Sequence, residues 1–203
     1  MIARNDITGL ILAGGRGSRM GGVDKGLQTF HGTPMVQHVL QRLAPQTSAV
    51  LINANRNVDR YAMFGVPVVA DALPDFAGPL AGMLAGLDQC TTRWIVTAPC
   101  DTPDLPVDLV DRLARAIETE EVEVAVPVTL DSDGKRRLQP VFCLMPATAG
   151  KSLREYVATG QRKIETWVTG LRLAQVLFED AAAFANINTL DELHRHETTV
   201  RPR

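Results

Sequence analysis

The segment Ile7 to Ala13, apolar, short and ended by Gly14-Gly15, restricts the fold more than any other feature of this chain. It reads as a buried strand, because a short apolar run bounded by glycines has strand length and a strand-breaking end. Runs of the same kind recur at Ala49 to Ile52, Val66 to Ala70, Trp94 to Ala98, Val122 to Val128, Gln139 to Leu144 and Ala174 to Phe178. Pro67 places the Val66 segment towards a sheet edge. Helical patterns lie between the runs, at Pro34 to Leu43, Leu80 to Leu87, Val107 to Glu118, Ser152 to Ala158, Ile164 to Thr169 and Leu190 to His196. Their apolar residues recur at helical spacing, as in Leu109, Val110, Leu113 and Ile117. Thr189 and Glu192 have the spacing of a capping box for the last helix. A polar turn, Asp131 to Lys135, precedes the Gln139 run. Strands alternating with helices predict an α/β fold with a mostly parallel central sheet flanked by helices.

The chain's 203 residues suffice for one compact domain, residues 1–203, with no internal linker or repeat. Its hydrophobic fraction of 45% and charged fraction of 22% are those of a globular protein. A formal net charge of -2 gives no basic footprint for nucleic acid. No run approaches the roughly 18 apolar residues of a membrane span, and Gly9 to Ala13 is too short for a signal-peptide core. Cys90, Cys100 and Cys143 suggest neither a disulfide framework nor a zinc site, which fits a reduced, cytoplasmic setting. His31, His38, His194 and His196 show no metal-ligand spacing. The tail from Thr198 to Arg203 is polar and expected to fray.

In α/β sheets ligands bind beyond the carboxyl ends of the strands, so the segments just after the strands matter most. After the first strand, Leu12 to Lys25 holds five glycines and the cations Arg16, Arg19 and Lys25. Glycine amides can form an anion-binding concavity, and the cations suit phosphate. The dinucleotide fingerprint fails because Met20 takes its third glycine position, and the P-loop fails because Lys25 lies between Asp24 and Gly26. After the second strand come Asn53 and Asn55, which suit a base, a ribose or an ordinary turn. After the third comes Asp71, then Gly78, Gly82 and Gly86 spaced four apart, admitting either a ligand or close helix packing. After the fourth, Pro99-Cys100-Asp101-Thr102-Pro103 delivers a carboxylate of the kind magnesium takes, or an Asx turn.

Taken together, Leu12-Ala13-Gly14-Gly15, Arg19-Met20-Gly21, Asp24-Lys25, Asn53, Asp71, Gly78 to Gly82, Pro99 to Pro103, Gln139-Pro140-Val141-Phe142 and Asn186-Ile187-Asn188-Thr189 resemble the molybdenum cofactor guanylyltransferases. The glycine loop alone indicates the wider sugar-nucleotide-type nucleotidyltransferase group; the later motifs narrow it. One departure is Leu190, where that family usually has proline after the last motif.

The resemblance implies a Rossmann-like nucleotidyltransferase fold and GMP transfer from GTP onto molybdenum-bound molybdopterin. It implies GTP contacts from Leu12, Ala13, Gly14, Lys25, Asn53, Asp71 and Asp101, with Gly15, Gly78 and Gly82 grouped beside them. Arg19, Lys25 and Asp101 are then the catalytic set, and Asp101 holds Mg2+. Gln139, Pro140, Asn186 and Asn188 fall on the acceptor side, so that residues 1–105 serve GTP and 106–197 the acceptor. Molybdopterin-delivering and molybdoenzyme-maturation proteins are the implied protein partners; nucleic acid and membrane are not. A different donor such as CTP, a sugar-phosphate acceptor, or a nucleotide-binding module without turnover are the other readings.

Overall fold

The computed structural model describes residues 1–14, 24–71, 78–187 and 192. Ten strands are described: β1 (Ile7–Leu12), β2 (Thr29–Phe30), β3 (Thr33–Pro34), β4 (Ala49–Asn53), β5 (Val68–Val69), β6 (Trp94–Pro99), β7 (Val124–Leu130), β8 (Arg136–Leu138), β9 (Leu144–Pro146) and β10 (Leu173–Leu177). The α-helices are α1 (Met35–Leu43), α2 (Val58–Ala62), α3 (Pro79–Gln89), α4 (Leu109–Glu120), α5 (Gly150–Ala158) and α6 (Ile164–Thr169). The central sheet runs β10-β7-β9-β6-β1-β4-β5, with β8 added to β7. Pairing is parallel at β5–β4, β4–β1, β1–β6 and β7–β10, and antiparallel where β9 lies between β6 and β7.

The central position of β1 follows from its sequence. All six of its residues are buried, as a strand covered on both faces must be. One face of the sheet carries α1, α2 and α4, packed through Val36, Val39, Leu43, Tyr61, Leu109, Leu113 and Ile117. The other carries α3, α5 and α6, packed through Leu80, Met83, Leu84, Leu87, Leu153 and Trp167. In α3 every residue from Leu80 to Leu87 is buried. The helix lies so close to β1 that a Cβ at Gly86 would collide with the Leu10 side chain.

Most expected elements stand within two residues of their predicted limits, and β5 is an edge strand as Pro67 suggested. Of the expected strand Gln139 to Leu144 only Leu144 is in a strand, as the first residue of β9, and β8 ends before Gln139. Between them the chain turns, with the Phe142 N–H donating to the Gln139 carbonyl at 3.0 Å. Pro140 has no N–H to give a ladder. The Val141 carbonyl instead accepts from the Thr97 hydroxyl, and Cys143 N–H donates back to that oxygen at 3.2 Å. Phe142 is pinned edge-on against Phe184, which packs edge-on against Phe178, with centroids 5.0 and 5.1 Å apart. Two elements had no apolar signature to find: the five-residue α2, and the β2–β3 hairpin, which turns on His31 and Gly32 at φ 46° and 78°. The expected helix at Leu190 to His196, its Thr189 cap and the tail lie, Glu192 apart, outside the described residues.

Candidate active site

The carboxyl ends of β4, β1 and β6 lie side by side, with Leu12 in register with Asn53 and with Pro99. Ala13 N–H donates to the Asn53 carbonyl at 2.8 Å, and Cys100 N–H to the Leu12 carbonyl at 3.1 Å. Residues 13–14, 53–55 and 100–101 therefore leave the sheet at one edge. Gly14 is confined there: a Cβ would stand 2.9 Å from Asn53 Oδ1 and 3.2 Å from Asn55 Nδ2.

Asn53, Asn55 and Asp71 form one hydrogen-bonded unit. Asn53 Nδ2 donates to Asp71 Oδ1 at 2.8 Å, and Asn55 Nδ2 to Asp71 Oδ2 at 2.7 Å. Asp71 N–H returns a bond to Asn55 Oδ1 at 2.8 Å, and Asn53 Nδ2 also reaches the Val69 carbonyl at 3.2 Å. The amides thus orient the carboxylate by bonding both its oxygens. Asn53 is buried, and its Oδ1 faces Gly14 on one side and Gly82 of α3 on the other. Gly78 caps α3 at φ 145°, a backbone that favours glycine, and brings the helix N-terminus to the same edge.

Asp101 follows β6 and is 7% exposed. Its Oδ2 lies 3.3 Å from Lys25 Nζ. Its backbone carbonyl accepts from Ile187 N–H at 2.9 Å, and Thr102 Oγ1 donates to the Pro99 carbonyl at 3.1 Å. Burial pushes the Asp101 carboxyl above the ordinary carboxylate range, and the Lys25 ammonium opposes that push. A buried carboxylate in need of positive charge suits a hard divalent cation that draws its other ligands from substrate phosphates. Among the described residues no cluster of three or more His, Cys, Asp or Glu side chains forms a metal cage. The adjacent Cys100 thiol is buried and pushed far up, chiefly by desolvation and then by Asp101, so it is not a thiolate nucleophile.

Residues 9–176 match the family model described as the MobA-like NTP transferase domain. The chain belongs to the MobA-like NTP transferase family. It is a nucleotidyltransferase. A protein of Cupriavidus metallidurans named molybdenum cofactor guanylyltransferase is 70% identical over 201 residues, covering 99% of each chain. One of the same name from Ralstonia pickettii is 59% identical, covering 96% of this chain and 98% of that protein. The fold also matches the crystal structure of molybdopterin-guanine dinucleotide biosynthesis protein A from Archaeoglobus fulgidus, with TM-score 0.72, 22% identity, and 94% and 96% of the two chains covered. A 4-diphosphocytidyl-2C-methyl-D-erythritol synthase from Anaerococcus prevotii matches at TM-score 0.74 with 11% identity, covering 95% and 97%.

In this MobA-like chain the structure brings together Leu12, Ala13, Gly14, Lys25, Asn53, Asp71, Gly82 and Asp101 at or beside one edge, with Gly78 one helical turn from Gly82. Gln139 spends its groups on β7: its N–H donates to the Pro127 carbonyl at 2.9 Å and its Nε2 to Thr129 Oγ1 at 3.0 Å. With Pro140 it forms the turn between β8 and β9, tied to β7 through Pro127 and to β6 through Thr97. Asn186 is exposed and adjoins Ile187, which is bonded to Asp101. Gly15, Arg16, Arg19 and Asn188 lie outside the described residues. Sequence reasoning passed over Tyr61 and Asn57, which both bond the Asp24 carboxylate. Only the pairing of Asp24 with Lys25 in the motif hinted at them. No helix among the described residues is long and apolar enough to cross a membrane, and the three cysteines are free.

Gly82 and Gly150 give a contrast in helix glycines. A methyl at Gly82 would collide with Asn53 Oδ1 and stand 2.9 Å from Leu12 Cδ2, whereas at Gly150 it would meet only Leu87 Cβ at 3.7 Å and the far end of Leu87. Gly82→Ala is expected to cost about 1–3 kcal/mol by overpacking, several degrees in unfolding midpoint. Gly150, at φ -53° and ψ -32°, should instead stabilise by roughly 0.4–1 kcal/mol when changed to alanine. Thermal unfolding of the two variants checks both signs.

Proposed function

We propose that this chain transfers GMP from GTP to the terminal phosphate of molybdenum-bound molybdopterin, releasing pyrophosphate. The Lys25–Asp101 pair beside the Asn53–Asn55–Asp71 unit, at one sheet edge, is the observation that carries this reading. The names of the relatives at 70% and 59% identity support the guanine donor and the pterin acceptor.

The terminal phosphate of the acceptor attacks the α-phosphorus, and pyrophosphate leaves in line. The attacking oxygen is already ionised near neutral pH, so no general base is required. Two anions must meet, and positioning with charge neutralisation therefore dominates. Lys25 neutralises the triphosphate, together with Arg19 and the backbone amides of Gly14 to Gly17. In the free protein the Lys25 ammonium neutralises Asp101; when GTP binds it turns to phosphate. Asp71, Asn53, Leu12, Ala13 and the Gly78–Gly82 end of α3 line the nucleoside side. Asp101 holds Mg2+, which supplies charge for the phosphate oxygens when bound. Gln139, Pro140, Asn186 and Asn188 are the residues assigned to the acceptor. Residues 1–105 thus serve the donor and 106–197 the acceptor, in a cytoplasmic enzyme.

The test is pyrophosphate release with Mg2+, molybdopterin and each nucleoside triphosphate in turn. Release with GTP, dependent on both molybdopterin and Mg2+, is expected. Equal release with CTP, or with a sugar phosphate as acceptor, overturns the reading. Nucleotide binding without release under any of these conditions overturns turnover itself.

A further inference from the structure

Lys25 stands in a segment fixed by neighbours that the transfer reaction does not use. On one side, Asp24 presents its carboxylate to α2. Tyr61, fully buried in the core, donates its hydroxyl to Asp24 Oδ1 at 2.5 Å. Asn57, the cap of α2 at φ 52°, donates Nδ2 to Asp24 Oδ2 at 2.9 Å. The Asp24 carbonyl accepts from Gln28 Nε2 at 3.2 Å and from Leu27 N–H at 3.3 Å. On the other side, Gly26 is wedged into the core: a Cβ would stand 2.6 Å from Tyr61 Oη and 3.1 Å from Cys100 Sγ. The chain at 24–26 is therefore gripped between α2 and the residue before Asp101, and Lys25 is the side chain that emerges towards Asp101.

We propose that Tyr61 is a positioning residue for nucleotidyl transfer, setting through its bond to Asp24 where the Lys25 ammonium stands. This rests on the reading of Lys25 as a triphosphate contact. A phenol suits the task. Its ring is anchored by burial, so the hydroxyl cannot wander, and a hydrogen bond to a carboxylate is short and strong. Burial, with Cys100 and Asp24 nearby, drives its ionisation far upward, so it stays a donor throughout the working range. The precision matters because misplacing a reacting or neutralising group by about 1 Å can cost on the order of a hundredfold in rate.

The experiment compares Tyr61→Phe, Lys25→Ala and the double variant by GTP-dependent pyrophosphate release and thermal unfolding. Tyr61→Phe keeps the ring and removes only the hydroxyl. Its kcat/KM for GTP is expected to fall about tenfold or more, while the unfolding midpoint stays within about 4 °C of the parent. In the Lys25→Ala background the same change should cause no further loss, because nothing is left to position. A merely structural hydroxyl would lower activity equally in both backgrounds. That result, or parental kinetics in Tyr61→Phe, overturns the proposal while leaving the Lys25 reading intact. A parental rate in Lys25→Ala removes that reading and the proposal with it. Should Tyr61→Phe fail to fold, Asp24→Asn carries the test. A loss confined to the Lys25 background supports positioning; no loss, or equal loss in both backgrounds, overturns it.

Discussion

Asp101→Ala is expected to abolish magnesium-dependent nucleotidyl transfer while the protein remains folded. Asp101 is 7% exposed and is delivered by β6, a strand at the centre of the sheet. Removing one preorganised electrostatic contact costs about 2.7–4 kcal/mol at a transition state, on the order of a hundred- to a thousandfold in rate. Losing the proposed anchor of a divalent cation should exceed that. Asp101→Asn separates charge from shape, since it keeps the side chain's size and one acceptor oxygen. Both variants should show pyrophosphate release at background with GTP, molybdopterin and Mg2+ in excess. Their unfolding cooperativity should stay near that of the parent, because Lys25 keeps partial access to water. Parental turnover in either variant would end the assignment of the metal to Asp101.

Lys25→Ala should lower kcat/KM for GTP by about a hundred- to a thousandfold, the usual effect of removing a preorganised charged donor. It should also leave a mark on stability that Asp101 variants do not share. Without the ammonium, the upward push of burial on the Asp101 carboxyl is opposed only by a backbone hydrogen bond. A carboxyl whose folded-state pKa is raised binds its proton more tightly in the folded protein than in the unfolded chain. Stability then falls as pH rises through the folded-state value and is regained as pH falls below it. In metal-free protein, the deficit of Lys25→Ala against the parent should shrink on acidification into the range just above the ordinary carboxylate pKa. Unfolding curves across pH 4 to 7, a span of about three units around the usual carboxylate range, check the sign. A deficit that grows on acidification would mean that Asp101 is not the group left exposed to burial's cost.

Much of the frame was legible because it rests on local pattern. Strand β1 and helix α4 announce themselves by apolar runs and by apolar residues at helical spacing. What failed was whatever depends on partners distant in the chain. The segment at Gln139 to Leu144 has strand composition, but Pro140 and the Thr97 hydroxyl, over forty residues away, bend it into a turn. At the site, strand ends pointed to Asn53, Asp71 and Asp101 one at a time. Nothing in sequence spacing says that two asparagine amides grip the two oxygens of Asp71, sixteen and eighteen residues distant. Tyr61 was invisible for the same reason. A tyrosine in a five-residue polar helix carries no signal until the fold lays it against Asp24.

The placement of β9 has a consequence for how such an enzyme can diversify. The strand comes from the second half of the chain, yet it zips antiparallel onto β6 from the first and also meets β7. The backbone from Ile187 is likewise tied to Asp101. The two halves of the chain are therefore woven into one sheet rather than joined like beads on a string. A fragment ending after β6 would lose the cover on that strand's outer edge and present a bare template for foreign pairing. Recombination cannot exchange one half for another while keeping the sheet whole. Change in such a fold is reachable instead through the turns that rim the sheet, where side chains change without disturbing the weave beneath.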